Sequence, residues 1–151
     1  MIDQPLLPQL DDHSEPFFAH AAAGELRIQA CADCGTRRMP PRPRCDRCGS
    51  LSARWDLMSG RGRVWSFVVP HPPLLPAYAE VAPYNVVLVE LDDDPTIRLV
   101  GNVVSEPGAA LDSVDPSLVT IGMSVQVAFP DPVDDGEGPV VLPRWVPAGV
   151  G

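Results

Sequence analysis

The sequence predicts a mainly β protein in two parts: a short helix with a small metal-binding ribbon, then a five-stranded barrel. Three observations carry that prediction. All four cysteines fall between Cys31 and Cys48, the second half of the chain breaks into five short apolar runs, and 19 prolines in 151 residues favour strands and constrained loops over long helices. The expected divisions are a flexible arm at 1–13, helix plus ribbon at 14–58, the barrel at 59–148 and a tail at 149–151.

Residues 1–13, with Pro5, Pro8 and several acids, read as an extended arm. A short helix follows. Ser14 is placed to cap it, Glu15 and Pro16 suit its first turn, Phe17 and Phe18 form an apolar stripe with Ala21 and Ala22, and Gly24 stands at the expected stop. So short a helix needs to dock on something, so Phe17 and Phe18 either pack on the ribbon or barrel or meet a partner protein. Leu26, Ile28 and Ala30 then alternate with Arg27 and Gln29, the pattern of a strand.

That strand leads into two Cys-x-x-Cys pairs, Cys31/Cys34 and Cys45/Cys48, each followed by a glycine, Gly35 and Gly49. Two residues between cysteines let one tight turn aim both sulfurs at a single ion, and two such turns complete a tetrahedral shell. A glycine after each turn supplies positive φ, so that backbone N–H groups face the sulfurs. Disulfides fit poorly with an acidic chain that shows no secretory start, and a redox dithiol needs one pair, not two. Zinc is the expected metal, with rubredoxin-like iron as the alternative. Four cysteines close the shell and leave no position for a reactive water, so the zinc should be structural.

Charge separates the two parts. Residues 27–63 hold nine of the eleven arginines against Asp33, Asp46 and Asp56, whereas the whole chain sums to −9 and has no lysine. Arg37, Arg38, Arg42 and Arg44 crowd the metal turns. They either offset the doubly negative metal–thiolate centre or contact a phosphate or partner. The acidic remainder would repel a nucleic-acid backbone.

After Trp55, Ser59 to Gly62 reads as a hinge, and the apolar runs Val64 to Val69, Tyr84 to Leu91, Ile97 to Val104, Met123 to Phe129 and Val140 to Val146 follow. Val87 and Val89 lie opposite Val86 and Leu88, so the second run expects cover on both faces. Gly101 reads as a bulge in the third run, and one helical turn is expected near Pro116 to Val119. Three strands, a helical insert and two strands is the order of an OB fold. Leu74, Leu75 and Tyr78, on the proline-rich loop between the first two strands, either present a hydrophobic contact or fold back over the barrel end. The chain lacks an apolar stretch long enough to span a membrane, and MIDQPLL lacks a basic start, so the expectation is a soluble, cytoplasmic protein.

These motifs occur in a specific order: Phe17-Phe18, Gly24-Glu25-Leu26, the two cysteine turns around Pro40-Pro41-Arg42, Gly60 to Ser66, Pro83-Tyr84, Gly101-Asn102, Ile121-Gly122-Met123 and Leu142-Pro143-Arg144. In that order the chain resembles the rubredoxin-like zinc-ribbon plus OB-fold proteins, long filed as a domain of unknown function, that accompany thiolase-superfamily and acyl-CoA enzymes. Known settings include archaeal thiolase and hydroxymethylglutaryl-CoA synthase assemblies and bacterial steroid side-chain aldolases and hydratases. Asn85 stands where that family tends to be apolar.

The resemblance implies a non-catalytic accessory subunit, in lipid or steroid metabolism, that docks on a thiolase-like enzyme of the lipid-transfer-protein type and supports acyl-CoA binding. Arg37, Arg38, Arg42 and Arg44 are then candidates for CoA-phosphate or partner contacts. Phe17, Phe18, Leu74, Leu75, Tyr78, Val87 and Val89 are candidates for docking. The residues themselves argue against chemistry of the chain's own. Every cysteine is committed to metal, and His13, His20 and His71 are scattered without a carboxylate at motif spacing. A nucleic-acid-binding zinc-ribbon/OB module stands as the alternative.

Overall fold

The computed structural model describes residues 6–149. Its first element, α1 (Glu15–Ala22), opens differently from the sequence expectation. Ser14 makes no side-chain cap. Asp11 caps the turn instead: its carboxylate accepts the N–H groups of His13 and Ser14 at 3.0 and 2.8 Å, and its carbonyl accepts the Glu15 N–H at 2.8 Å. Gly24 closes the helix at φ 76°, where a Cβ would be strained.

The ribbon is a three-stranded antiparallel sheet in which β1 (Arg27–Cys31) lies between β2 (Arg37–Arg38) and β3 (Ala53–Leu57). β3 was not expected from the sequence. Its charged and polar residues hide the period, yet it pairs with β1 along its whole length, from Arg27 opposite Leu57 to Cys31 opposite Ala53.

The barrel uses β4 (Arg61–Val68), β5 (Val86–Leu91), β6 (Arg98–Gly101), β7 (Ser124–Ala128) and, after a small hairpin of β8 (Val133–Asp134) and β9 (Pro139–Val140), β10 (Arg144–Pro147). The order across the sheet is β10-β7-β4-β5-β6. A parallel bridge between Val103 and Trp145 joins its two ends into the OB barrel. The fifth apolar run is therefore split: Val140 belongs to the hairpin with Val133, and the last barrel strand begins only at Arg144. A short 3₁₀ turn at Pro116–Leu118 fills the helical insert, with Asp115 accepting the Ser117 N–H.

Two glycines do other work than expected. The irregularity in the sheet lies in β4 between Val64 and Ser66, not at Gly101. A Cβ on Gly101 would come within 2.8 Å of the Trp145 ring nitrogen, so glycine there makes room for the indole that closes the barrel. Ser59 to Gly62 is packed tightly, not hinge-like: Asp93 accepts both the N–H and the hydroxyl of Ser59 at 2.7 Å, and a Cβ on Gly62 would meet the Glu90 carbonyl at 2.6 Å.

Ribbon and barrel share one core. Leu26, Ile28 and Met58 are buried in the same cluster as Val64, Val89, Val125 and Trp145, with Phe17 and Met39 packed against it. An ion network spans the same junction, where Arg37 of β2 binds Asp56 at 3.0 Å and Asp94, in the loop after β5, at 3.3 Å. Asp56 is held below the usual carboxylate range by hydrogen bonds from Arg54 and then Arg37; at Asp94 desolvation pushes up most strongly of any one influence, but hydrogen bonds from Thr96 and Arg37 together outweigh it and hold the carboxyl low. A carboxylate held low in the fold adds stability above its unfolded pKa of about 3.9, and that stability is lost as pH falls through the lower folded value. In urea titrations, the gap between wild type and Arg37→Gln should therefore narrow as pH drops from 7 to 3; a constant gap would show that Arg37 does not stabilise the ionised carboxylates.

Candidate metal centre and adjoining grooves

The four cysteine sulfurs lie within 4.8 Å of one another, with Cys31 Sγ 3.5 Å from Cys48 Sγ and Cys34 Sγ 3.6 Å from Cys45 Sγ. Tetrahedral zinc with bonds of about 2.3 Å sets its sulfurs about 3.8 Å apart, so the donor set fits. The two turns are built alike. Gly35 N–H donates to the Cys31 carbonyl and Gly49 N–H to that of Cys45, each at 2.9 Å, and both glycines take positive φ, 76° and 77°. The sulfurs are unequal. The Thr36 hydroxyl and N–H hold Cys34 at about 6, whereas at Cys48 the Ser50 N–H pulls down but the neighbouring sulfurs Cys31, Cys34 and Cys45 push it up to about 12. Four thiolates at this spacing need a cation to ionise together.

The four arginines beside the turns are already engaged. Arg38 is buried, its Nε and Nη2 donating to the Arg42 carbonyl at 3.2 and 2.9 Å, so it is withdrawn from any phosphate. Arg37 is tied to Asp56 and Asp94, Arg42 pairs with Asp46 at 3.3 Å, and Arg44 donates to the Gly49 carbonyl at 2.8 Å. Only Arg42 and Arg44 keep substantial exposure.

The docking candidates also divide. Val87 and Val89 are 1% and 0% exposed inside the barrel core, so neither can touch a partner. The outer face of β5 carries half-buried Val86 and Leu88 instead. Leu74 and Tyr78 fold back with Val81, Tyr84 and Leu111 over the barrel end, whereas Leu75 points outward at 58% exposure. Phe17 and Phe18 meet edge to face, centroids 5.1 Å apart, and are half-buried.

Those two rings line a groove of about 380 Å³ that runs past Met39, Leu99 and Leu142 to Arg144. A second groove of about 450 Å³ lies on the other side of Arg144, between Tyr78, Leu111 and Pro130. Arg144 donates to Asn102 Oδ1 at 3.2 Å and makes no ion pair among the described residues; desolvation draws its pKa down, though an arginine there stays charged. Beneath it, fully buried Asn85 accepts the Val103 N–H at 2.7 Å and donates to the Val103 carbonyl at 2.8 Å. Sequence reasoning assigned no role to Asn85, Asn102 or Arg144. The available signal was two asparagines embedded in apolar runs, since a buried amide is retained where it satisfies backbone groups.

Residues 18–52 match the family model of the ChsH2 rubredoxin-like zinc ribbon domain, and residues 55–130 match that of the ChsH2 C-terminal OB-fold domain. The chain belongs to the ChsH2/DUF35 family. A solved Ltp2-ChsH2(DUF35) aldolase contains a chain 34% identical to it, with TM-score 0.75 over 93% of this chain and 98% of that one. The probable enoyl-CoA hydratase alpha subunit of Thermomonospora curvata is 38% identical over 120 residues, 78% of this chain and 33% of that protein. The 3-oxo-4,17-pregnadiene-20-carboxyl-CoA hydratase alpha subunit of Mycobacterium tuberculosis is 37% identical over 115 residues, 76% of this chain and 33% of that protein. The chain thus spans about a third of the length of these hydratase subunits. In this ChsH2/DUF35 chain the cysteine cluster lies within the zinc-ribbon match, and Trp65 and Arg98, whose guanidinium stacks 3.9 Å over the indole, lie within the OB-fold match. No helix among the described residues is long and apolar enough to cross a membrane.

Proposed function

We propose that this chain is a non-catalytic accessory unit that docks on a thiolase-like enzyme of the lipid-transfer-protein type, with a steroid side-chain aldolase as the favoured setting, and supports acyl-CoA binding or turnover there. The observation that carries this reading is the likeness to the Ltp2-ChsH2(DUF35) aldolase chain along nearly the whole of both chains. The chemistry of the residues agrees with it. The four thiols that would serve as nucleophiles are gathered into one metal-ligand set, for which structural zinc is the proposed occupant. The three histidines sit on separate elements, His20 against the Trp55 ring and His71 on the proline loop.

The test is co-expression with a thiolase-like subunit of the Ltp2 type, followed by native mass measurement and retro-aldol turnover of a steroid side-chain β-hydroxyacyl-CoA. A mixed complex is expected, with turnover that requires both chains. A chain that stays alone, beside a partner fully active without it, overturns the reading. Oligonucleotide binding that falls steeply with salt would favour the nucleic-acid module instead.

A further inference from the structure

β6 is the end strand of its sheet, paired with β5 on one side and, among the described residues, with no strand on the other. The Leu91 N–H to Ile97 carbonyl bond, 3.1 Å, sets the phase of that ladder. Opposed residues in an antiparallel pair alternate between bonded and non-bonded, so Leu99 and Gly101 face β5 with their backbone groups, and Arg98 and Val100 turn theirs outward. The barrel closes only beyond this stretch, where Trp145 N–H donates to the Asn102 carbonyl at 3.0 Å and Val104 N–H to the Trp145 carbonyl at 2.8 Å. The apolar groove of about 380 Å³ therefore runs along an open strand edge. Val100, on that edge, is 73% exposed. Natural edges are usually blunted by charge, proline or a covering element, and an apolar one beside a groove is a template for another strand. Arg144 stands at the end of the same groove with no carboxylate paired to it among the described residues.

We propose that the groove takes an extended segment of the thiolase-like partner, which pairs with β6 through Arg98 and Val100 and sets a carboxylate against Arg144. The proposal rests on the docking reading above and deepens it by naming the surface. Three features select this occupant. Outward-facing N–H and C=O groups call for a peptide backbone, which an acyl chain cannot supply. The four residues of β6 span about 13 Å, the reach of a four-residue strand. The Arg144 guanidinium, which makes no ion pair among the described residues, asks for an acid, whereas two copies of a chain with net charge −9 repel one another as whole molecules.

Val100→Pro tests it, because the lost N–H is one that β5 does not use and proline is tolerated at such an edge. Wild type, Val100→Pro and Arg144→Gln are titrated with the co-expressed thiolase-like subunit, and amide exchange is followed in free and bound wild type. Val100→Pro should melt within a few degrees of wild type yet bind at least about tenfold more weakly, the effect of losing a central main-chain contact. Arg144→Gln should weaken binding and flatten its salt dependence. On binding, Arg98 and Val100 amides should gain protection that Leu99 and Gly101 already have. Equal binding by Val100→Pro, or unchanged exchange at Arg98 and Val100, overturns this proposal alone; wild type that binds no such subunit overturns the docking reading as well. Should Val100→Pro fail to fold, wild-type exchange decides by itself. Protection of those two amides by octanoyl-CoA alone, or in a homodimer, would also overturn it by assigning the groove to a lipid or a second copy.

Discussion

Cys34→Ser and Cys45→Ser should each abolish the cooperative melting of the whole chain. The metal turns close the end of β1, and β1 carries Ile28, fully buried among the barrel residues Val64, Val89 and Trp145. Structural zinc contributes about 10–16 kcal/mol to small metal modules, which is comparable to or larger than the total stability of an ordinary domain, about 5–15 kcal/mol. Losing one thiolate leaves three crowded sulfurs and a weakened site, and β1 then lacks the closure that holds it on the barrel. The measurement is thermal melting of the purified variants with metal content determined in parallel. Broad, non-cooperative melting with less than one equivalent of metal is expected. A variant that melts as wild type does, and matches it in binding the proposed thiolase-like subunit, would show that the metal is not structural. Addition of a strong chelator to wild type should reproduce the variants' behaviour, since the same shell is emptied by another route.

The reason this effect reaches the barrel was only partly legible in the sequence. The metal ligands and the turn glycines announce themselves, because tetrathiolate chemistry demands a fixed spacing and positive φ at Gly35 and Gly49. The barrel strands β4, β5, β6 and β7 appear as apolar runs because each has a buried face. The shared core did not appear. Leu26, Met39 and Met58 sit in ordinary surroundings along the chain, and nothing local shows that they meet Val64 or Trp145 across the junction. The arginines were legible as a basic cluster but not in their partners. Arg37 is neutralised by Asp94, an acid 57 residues away in sequence, and buried Arg38 gives its Nε and Nη2 to the Arg42 carbonyl while its Nη1 has no partner among the described residues. Composition reports charge, whereas availability for a ligand depends on contacts that only the fold creates.

Asn85 is the sharpest case, and its substitution should have a large effect on stability. In a run of apolar residues an asparagine reads as a departure; in the fold it fastens the start of β5 to the stretch where the barrel closes. Its side chain serves both backbone groups of Val103, and its own carbonyl accepts the Asn102 side-chain amide at 2.6 Å. Val103 in turn bridges to Trp145, so one amide supports the junction between the two ends of the sheet. Asn85→Leu preserves approximate volume but leaves the Val103 N–H and C=O buried without partners. An unsatisfied buried group costs about 1–3 kcal/mol, so about 2–6 kcal/mol is expected for the two, a fall of roughly 4–24 °C in Tm at about 2–4 °C per kcal/mol. Asn85→Asp separates the two bonds, because a carboxylate can accept from the Val103 N–H but cannot donate to its carbonyl, and it places a charge in a fully buried site. It should be at least as damaging as Asn85→Leu at pH 7 and recover part of its stability as the acid is protonated. Burial raises that carboxyl's folded pKa above the unfolded value, so the penalty is present above the folded pKa and lifts as pH falls toward the unfolded one, provided the metal shell survives the titration. Comparing both variants with wild type at each pH removes the metal's own contribution. If Asn85→Leu melts within about 2 °C of wild type, barrel closure does not depend on this amide, and the burial of Trp145 against Gly101 is what joins β6 to β10.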